Sequence, residues 1–74
     1  MSWQVHYCNY VRDTEVRSFL GNAIDKDHAL SIVGLDAQTR HPRALFAQMD
    51  SNEFGHTTIH YDKSRRHYLL VPLN

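Results

Sequence analysis

Asp25-Lys26-Asp27-His28-Ala29-Leu30-Ser31-Ile32-Val33-Gly34-Leu35-Asp36-Ala37-Gln38-Thr39 is the stretch where the period of apolar residues changes from two to about 3.6. Ala29, Leu30, Val33 and Ala37 make one continuous helical stripe. Asp25 suits the N-cap, Asp27 complements the helix dipole in the first turn, and Ile24 before the cap is placed to staple onto Ala29. Ile32 and Leu35 fall off the stripe, so the helix is apolar over more than one face and either sits deep or meets a partner. Gly34 costs about 1 kcal/mol relative to alanine in mid-helix, which predicts close approach of a neighbouring element. His41-Pro42 stops the helix, because proline disfavours helical geometry in the residue before it.

Upstream, Trp3, Val5, Tyr7, Asn9 and Val11 alternate with Gln4, His6, Cys8 and Tyr10, the pattern of a strand half buried through its odd positions. A turn at Arg12-Asp13-Thr14-Glu15 with Asp13-Thr14 at its tip returns Val16, Ser18 and Leu20 to the same face, and Gly21-Asn22 ends the second strand. Downstream the chain reads as a meander: Arg43 to Asp50, a turn at Ser51-Asn52-Glu53, Gly55 to Asp62, a turn at Lys63-Ser64, and Arg66 to Leu73. The last register pairs Asp62 with Arg65, Tyr61 with Arg66, His60 with His67 and Ile59 with Tyr68. The sum is a ββαβββ order, an α+β domain with an antiparallel sheet and one helix on one face. The rival is a second helix over Arg43 to Asp50, where Ala44, Leu45, Ala47 and Met49 are good helix formers.

With 74 residues the chain has room for one domain. Eight Lys plus Arg balance eight Asp plus Glu, which removes the usual electrostatic warrant for a nucleic-acid or membrane-surface protein. That balance holds only while six histidines are neutral. Below about pH 6 the charge climbs towards +6. One cysteine cannot form an internal disulfide, and no secretory leader is legible at Met1-Ser2-Trp3-Gln4, so a reducing cytoplasm is the expected compartment. The longest apolar run, Leu69 to Leu73, is far below the roughly 20 residues of a membrane helix.

Three constellations carry chemical interest. His60 and His67, as cross-strand neighbours, bring imidazoles to within about 5 Å at Cβ, close enough to share a metal ion, with Asp62 or a residue of a second copy as the candidate third ligand and no obvious one beyond these. Cys8 stands two residues from His6 and from Tyr10 on one face, but that spacing puts side chains about 7 Å apart with no orienting carboxylate, so a nucleophile–base pair is unsupported. Basic residues gather in two places, Arg40-His41-Pro42-Arg43 at the helix exit and Lys63-Ser64-Arg65-Arg66-His67-Tyr68 at the last hairpin. With Tyr61 and Tyr68 nearby, the second cluster has the means to position phosphates and stack bases, and the same arginines suit an acidic protein partner. Asp50-Ser51-Asn52-Glu53 lacks the glycine and distal glutamate of a calcium loop, and no glycine-rich phosphate loop is present.

Eight aromatic rings are many for one small core, and a one-helix sheet leaves its second face uncovered. Among function classes, a non-enzymatic binding or regulatory protein acting through a protein–protein surface ranks first. It is expected to be homodimeric, to need no cofactor and to have no catalytic residues, with loosening on acidification. The order of elements is shared by many small bacterial and phage accessory proteins of unrelated function, so fold alone selects no activity. A nucleic-acid-binding accessory protein ranks second, and a small metal-binding protein or enzyme centred on His60 and His67 third. The candidate partner- or nucleic-acid-binding residues are Arg40, Arg43, Tyr61, Lys63, Arg65, Arg66 and Tyr68.

Overall fold

A computed structural model of the chain describes residues 2–44 and 47–73. The alternation that starts at Trp3 forms β1 (Ser2–Val11), and its odd residues Trp3, Val5 and Tyr7 are buried beneath the helix. β2 (Thr14–Ala23) returns antiparallel to it, followed by α1 (Lys26–Arg40), β3 (Gln48–Ser51), β4 (Thr57–His60) and β5 (His67–Leu73). These five strands, the ones found among the described residues, make one antiparallel sheet in the order β2-β1-β5-β4-β3. The ββαβββ α+β architecture read from the sequence is the one observed. Among the described residues no helix is long and apolar enough to cross a membrane.

Side chains from both layers build the core: Trp3, Val5 and Tyr7 of β1, Ile59 of β4, Tyr68 and Leu70 of β5, and Ala29, Val33 and Ala37 of α1. The helix contributes mostly alanine, which lets it lie close over the large residues of β1 and β5. Asp25 is its N-cap, accepting from the His28 backbone N–H at 2.8 Å, and His41 closes the other end through an N–H bond to the Ala37 carbonyl at 2.7 Å. The expected staple does not form, because Ile24 is 75% exposed. Leu30 and Ile32 reach the core edge, whereas Leu35 faces outward. Gly34 corrects another expectation: a Cβ there would meet nothing within 4 Å, so no element approaches it closely.

The first hairpin turns one residue earlier than expected, at Arg12-Asp13, with Val11 opposite Thr14. Both tip residues have positive φ, 52° and 65°, the signature of a primed turn whose twist suits a hairpin. Parity is unchanged, so Val16 and Ser18 still share the face of Tyr7 and Asn9. A bulge follows, because His6 pairs with Phe19 but Val5 with Gly21, leaving Leu20 as the extra residue. Gly21-Asn22 does not end the strand, since the bulge absorbs the glycine and pairing continues to Ala23 opposite Trp3.

In the meander the strands are shorter than the apolar pattern implied. Among the described residues of Arg43 to Asp50, Gln48 to Asp50 is strand, and residues 45 and 46 lie outside the described residues. Arg43 and Ala44 are not helical, so the rival helix finds no support in the described part. Asn52 organises the β3–β4 turn, its side chain accepting from the N–H groups of Phe54 and His56, and Gly55 takes φ +80°. Between β4 and β5 the register is as expected, with Ile59 opposite Tyr68. The connection is a six-residue loop over 61–66, tied by Asp62 to Ser64, where a two-residue tip was expected.

Candidate anion-binding cleft

The two basic segments, separated by some twenty residues in sequence, are brought together by the fold. α1 delivers Arg40 and the His41-Pro42-Arg43-Ala44 exit, and the 61–66 loop delivers Tyr61, Asp62, Lys63 and Arg66 from the opposite wall. Between them lies an open cleft of about 500 Å³. Its floor is apolar, from Pro42, Ala44 and the Tyr61 ring, and four cations line it against a single carboxylate.

His41 is the strut of this cleft. Its side chain is only 5% exposed, with Nδ1 3.4 Å from Asp62 Oδ2 and Nε2 3.3 Å from the Tyr7 hydroxyl. The ring is thus held between the Asp62 carboxylate on one side and the Tyr7 hydroxyl on the other. Tyr61 stacks on His41 with centroids 5.7 Å apart and 16° between planes. Burial pushes the Tyr61 hydroxyl above its ordinary range.

Asp62 is held well below the usual carboxylate range, first by the Ser64 hydroxyl and backbone N–H that donate to it, with Arg66 and His41 adding to the effect. It therefore stays ionised and orients Arg66, whose Nη2 is 3.1 Å away. Arg40 lies 4.4 Å over the Tyr7 ring and bonds Asp36 at 2.6 Å through Nε. Asp36 also accepts from the Tyr68 hydroxyl at 2.5 Å. Burial, and then that bond, drive the Tyr68 hydroxyl far upward. A chain of contacts from β5 through Asp36 thus fixes Arg40, whereas Arg43 and Lys63 project with no ion-pair partner among the described residues.

Five of the seven candidate binding residues, Arg40, Arg43, Tyr61, Lys63 and Arg66, line this one cleft. The other two do not. Tyr68 is fully buried in the core, because the alternation of β5 turns it under the helix. Arg65 faces the far side of the loop, where it covers the Tyr10 ring at 4.4 Å and reaches Asp13 at 2.8 Å. His60 and His67 do meet, with ring centroids 5.1 Å apart. Cys8 is buried on the sheet face away from α1, and His6 bonds Gln4 at 3.3 Å with no bond to the thiol, so no nucleophile–base pair forms there. The sequence reading missed His41 and Asp62 as cleft-forming residues. The available signal was the histidine just before Pro42, at a position where the helix must end.

The chain matches no family model, and no curated protein or solved structure matches it.

Proposed function

We propose that the protein is a non-enzymatic binding module whose cleft takes an acidic, partly apolar segment of a partner protein. The convergence of two separate basic segments on one cleft with an apolar floor carries this reading. Arginine and lysine at the rim suit carboxylates, while Pro42, Ala44 and Tyr61 suit an apolar side chain between them. Rings argue against a nucleic-acid ligand. Tyr68 is buried, Tyr61 stacks one face on His41, and Tyr10 is covered by Arg65, so the rings nearest the basic loop offer little surface on which bases could stack. Among the described residues no serine, threonine or cysteine lines the cleft, and His41 is buried with its ring nitrogens against Asp62 and Tyr7, which favours binding over catalysis.

Fluorescence anisotropy with a short labelled peptide of alternating glutamate and leucine tests the proposal, with a single-stranded oligonucleotide beside it. The peptide is expected to bind, with affinity falling as salt rises and dropping about tenfold in Arg43→Glu or Lys63→Glu. Arg65→Glu, outside the cleft, is expected to bind as the native chain does. Tighter binding of the oligonucleotide, or equal losses in all three variants, overturns the reading.

A homodimer is the second part of the proposal, and the outer edge of β2 favours it. This ten-residue edge strand is exposed along most of its length and carries Val11 nearby with Val16 and Phe19, which are 55%, 45% and 55% exposed. A long edge with apolar side chains is a template for pairing with a second chain. His6, whose ring lies 5.5 Å from that of Phe19, would gain charge beside this edge on acidification, below the ordinary histidine range because burial and then Arg17 hold its pKa down. Sedimentation at about pH 8 is expected to give a dimer that loosens at about pH 5.5 and is lost in Phe19→Lys. A monomer at both pH values removes this part and leaves the cleft untouched.

A further inference from the structure

On the sheet face away from α1, three adjacent strands bring unlike donors to one point. Cys8 of β1, Glu15 of β2 and His67 of β5 each place a ligand atom so that all three lie within 4.8 Å of one another. The register makes this a property of the fold, since Cys8 sits directly opposite His67 on one side and opposite Arg17, two residues beyond Glu15, on the other. We propose that Cys8, Glu15 and His67 form a zinc-binding site, with water in the fourth position.

A thiolate, an imidazole and a carboxylate are the three donor types that zinc takes together, and a three-ligand set with one open position is one of its ordinary arrangements. Tetrahedral zinc at its usual bond lengths holds donors about 3.5 Å apart, so closing the set asks for shifts of about 1 Å. Glu15 supplies that movement, being an exposed side chain near the hairpin end. His67 is already oriented for ligation. Its Nδ1 lies 2.8 Å from the Arg65 carbonyl oxygen, which fixes Nδ1 as the protonated nitrogen and leaves the Nε2 lone pair for a metal. Arg17, 3.6 Å from Glu15 and 46% exposed at its side chain, has solvent to swing into when a dication replaces it as the carboxylate's partner.

The site differs from the His60–His67 pair that adjacency in sequence register suggests. His60 stands beside His67 but outside the set of mutually close donors. On binding, the Cys8 thiol passes its proton to solvent and the zinc–sulfur bond forms from the resulting thiolate, with no change of oxidation state. A metal here would staple β2, β1 and β5 on the face that the helix leaves uncovered.

Cobalt(II) reports thiolate ligation by an intense near-ultraviolet charge-transfer band, so the reduced full-length chain is titrated with cobalt and the metal then displaced with zinc. The native chain is expected to develop the band and to lose it on adding zinc. Cys8→Ser should abolish the band, and Glu15→Gln and His67→Ala should each weaken binding about tenfold or more. His60→Ala should bind as the native chain does. Because buried Cys8 is a risky position to alter, the exposed Glu15→Gln variant, checked for native circular dichroism, is the decisive one. Cobalt binding without a thiolate band, no binding at all, or unchanged affinity in Glu15→Gln and His67→Ala overturns the assignment.

Discussion

Replacing Tyr68 by phenylalanine removes one oxygen from the centre of the structure and tests how the helix end is held. The Tyr68 ring is fully buried and packs edge-on or tilted against Tyr7, Tyr61 and His41 at 4.9, 5.8 and 6.2 Å. Phenylalanine keeps those contacts. What it loses is the hydroxyl bond to Asp36, a carboxylate whose side chain is 22% exposed and which retains Arg40 as a second partner. A hydrogen bond to a charged group contributes about 1.5–3 kcal/mol. Partial hydration of Asp36 and its remaining Arg40 bond place this one at the lower end, about 1.5 kcal/mol. For a domain of this size that corresponds to a fall in Tm of about 6–12 °C. Urea denaturation followed by circular dichroism should show a lower midpoint with an unchanged m value. Combined with Asp36→Asn, the double-mutant cycle should return a coupling of about 1 kcal/mol. A change below about 0.5 kcal/mol refutes the view that this bond ties α1 to β5, and one above about 3 kcal/mol means that ring packing was disturbed instead.

Arg12 occupies a left-handed conformation that asparagine tolerates better, so Arg12→Asn should raise stability by about 0.5–1 kcal/mol in urea melts, whereas Arg12→Val should lower it. Gly34→Ala should also stabilise, by up to about 1 kcal/mol, because the added methyl meets open space and the helix gains propensity; destabilisation would reveal a neighbour at this position. Asp62 has a folded-state pKa below its unfolded value near 3.8, so its contribution is present above that value and is lost as pH falls through the lower folded pKa. Carboxyl titration by NMR should therefore give Asp62 a depressed midpoint that Ser64→Ala moves upward, and an unmoved midpoint would exclude the Ser64 hydroxyl as the main cause.

Period and punctuation made the order of elements readable. Asp25 and His41-Pro42 bracket the helix as capping chemistry requires, and the alternation of β1 set Trp3, Val5 and Tyr7 in the core, whereas the run Tyr68 to Leu73 is apolar on both faces and does not itself say which side the helix covers. The hairpin tip falls one residue before Asp13-Thr14 because Arg12 and Asp13 adopt positive φ without glycine or asparagine to announce it. The Leu20 bulge is equally silent, for a single extra residue alters register without altering composition. Of the rings that suggested surplus surface, Trp3, Tyr7 and Tyr68 enter the core, whereas Phe19 and Phe54 stay exposed. At the cleft, the cations were legible as two local concentrations, but their meeting is a consequence of β5 lying between β1 and β4, a long-range pairing no local pattern encodes. Arg65 and Arg66, adjacent in the same loop, face opposite ways, Arg65 to Asp13 and Arg66 to Asp62.

The central claim is that the helix exit and the 61–66 loop act as one binding surface. Backbone amide chemical-shift mapping, with the glutamate–leucine peptide titrated into isotope-labelled protein, tests it directly. The account predicts concerted shifts at Arg40, His41, Arg43 and Ala44 and at Tyr61 to Ser64 and Arg66, saturating with a single affinity, while the exposed outer edge of β2 stays still. Shifts confined to one of the two segments, or centred on β2 or on the sheet face away from α1, would contradict it.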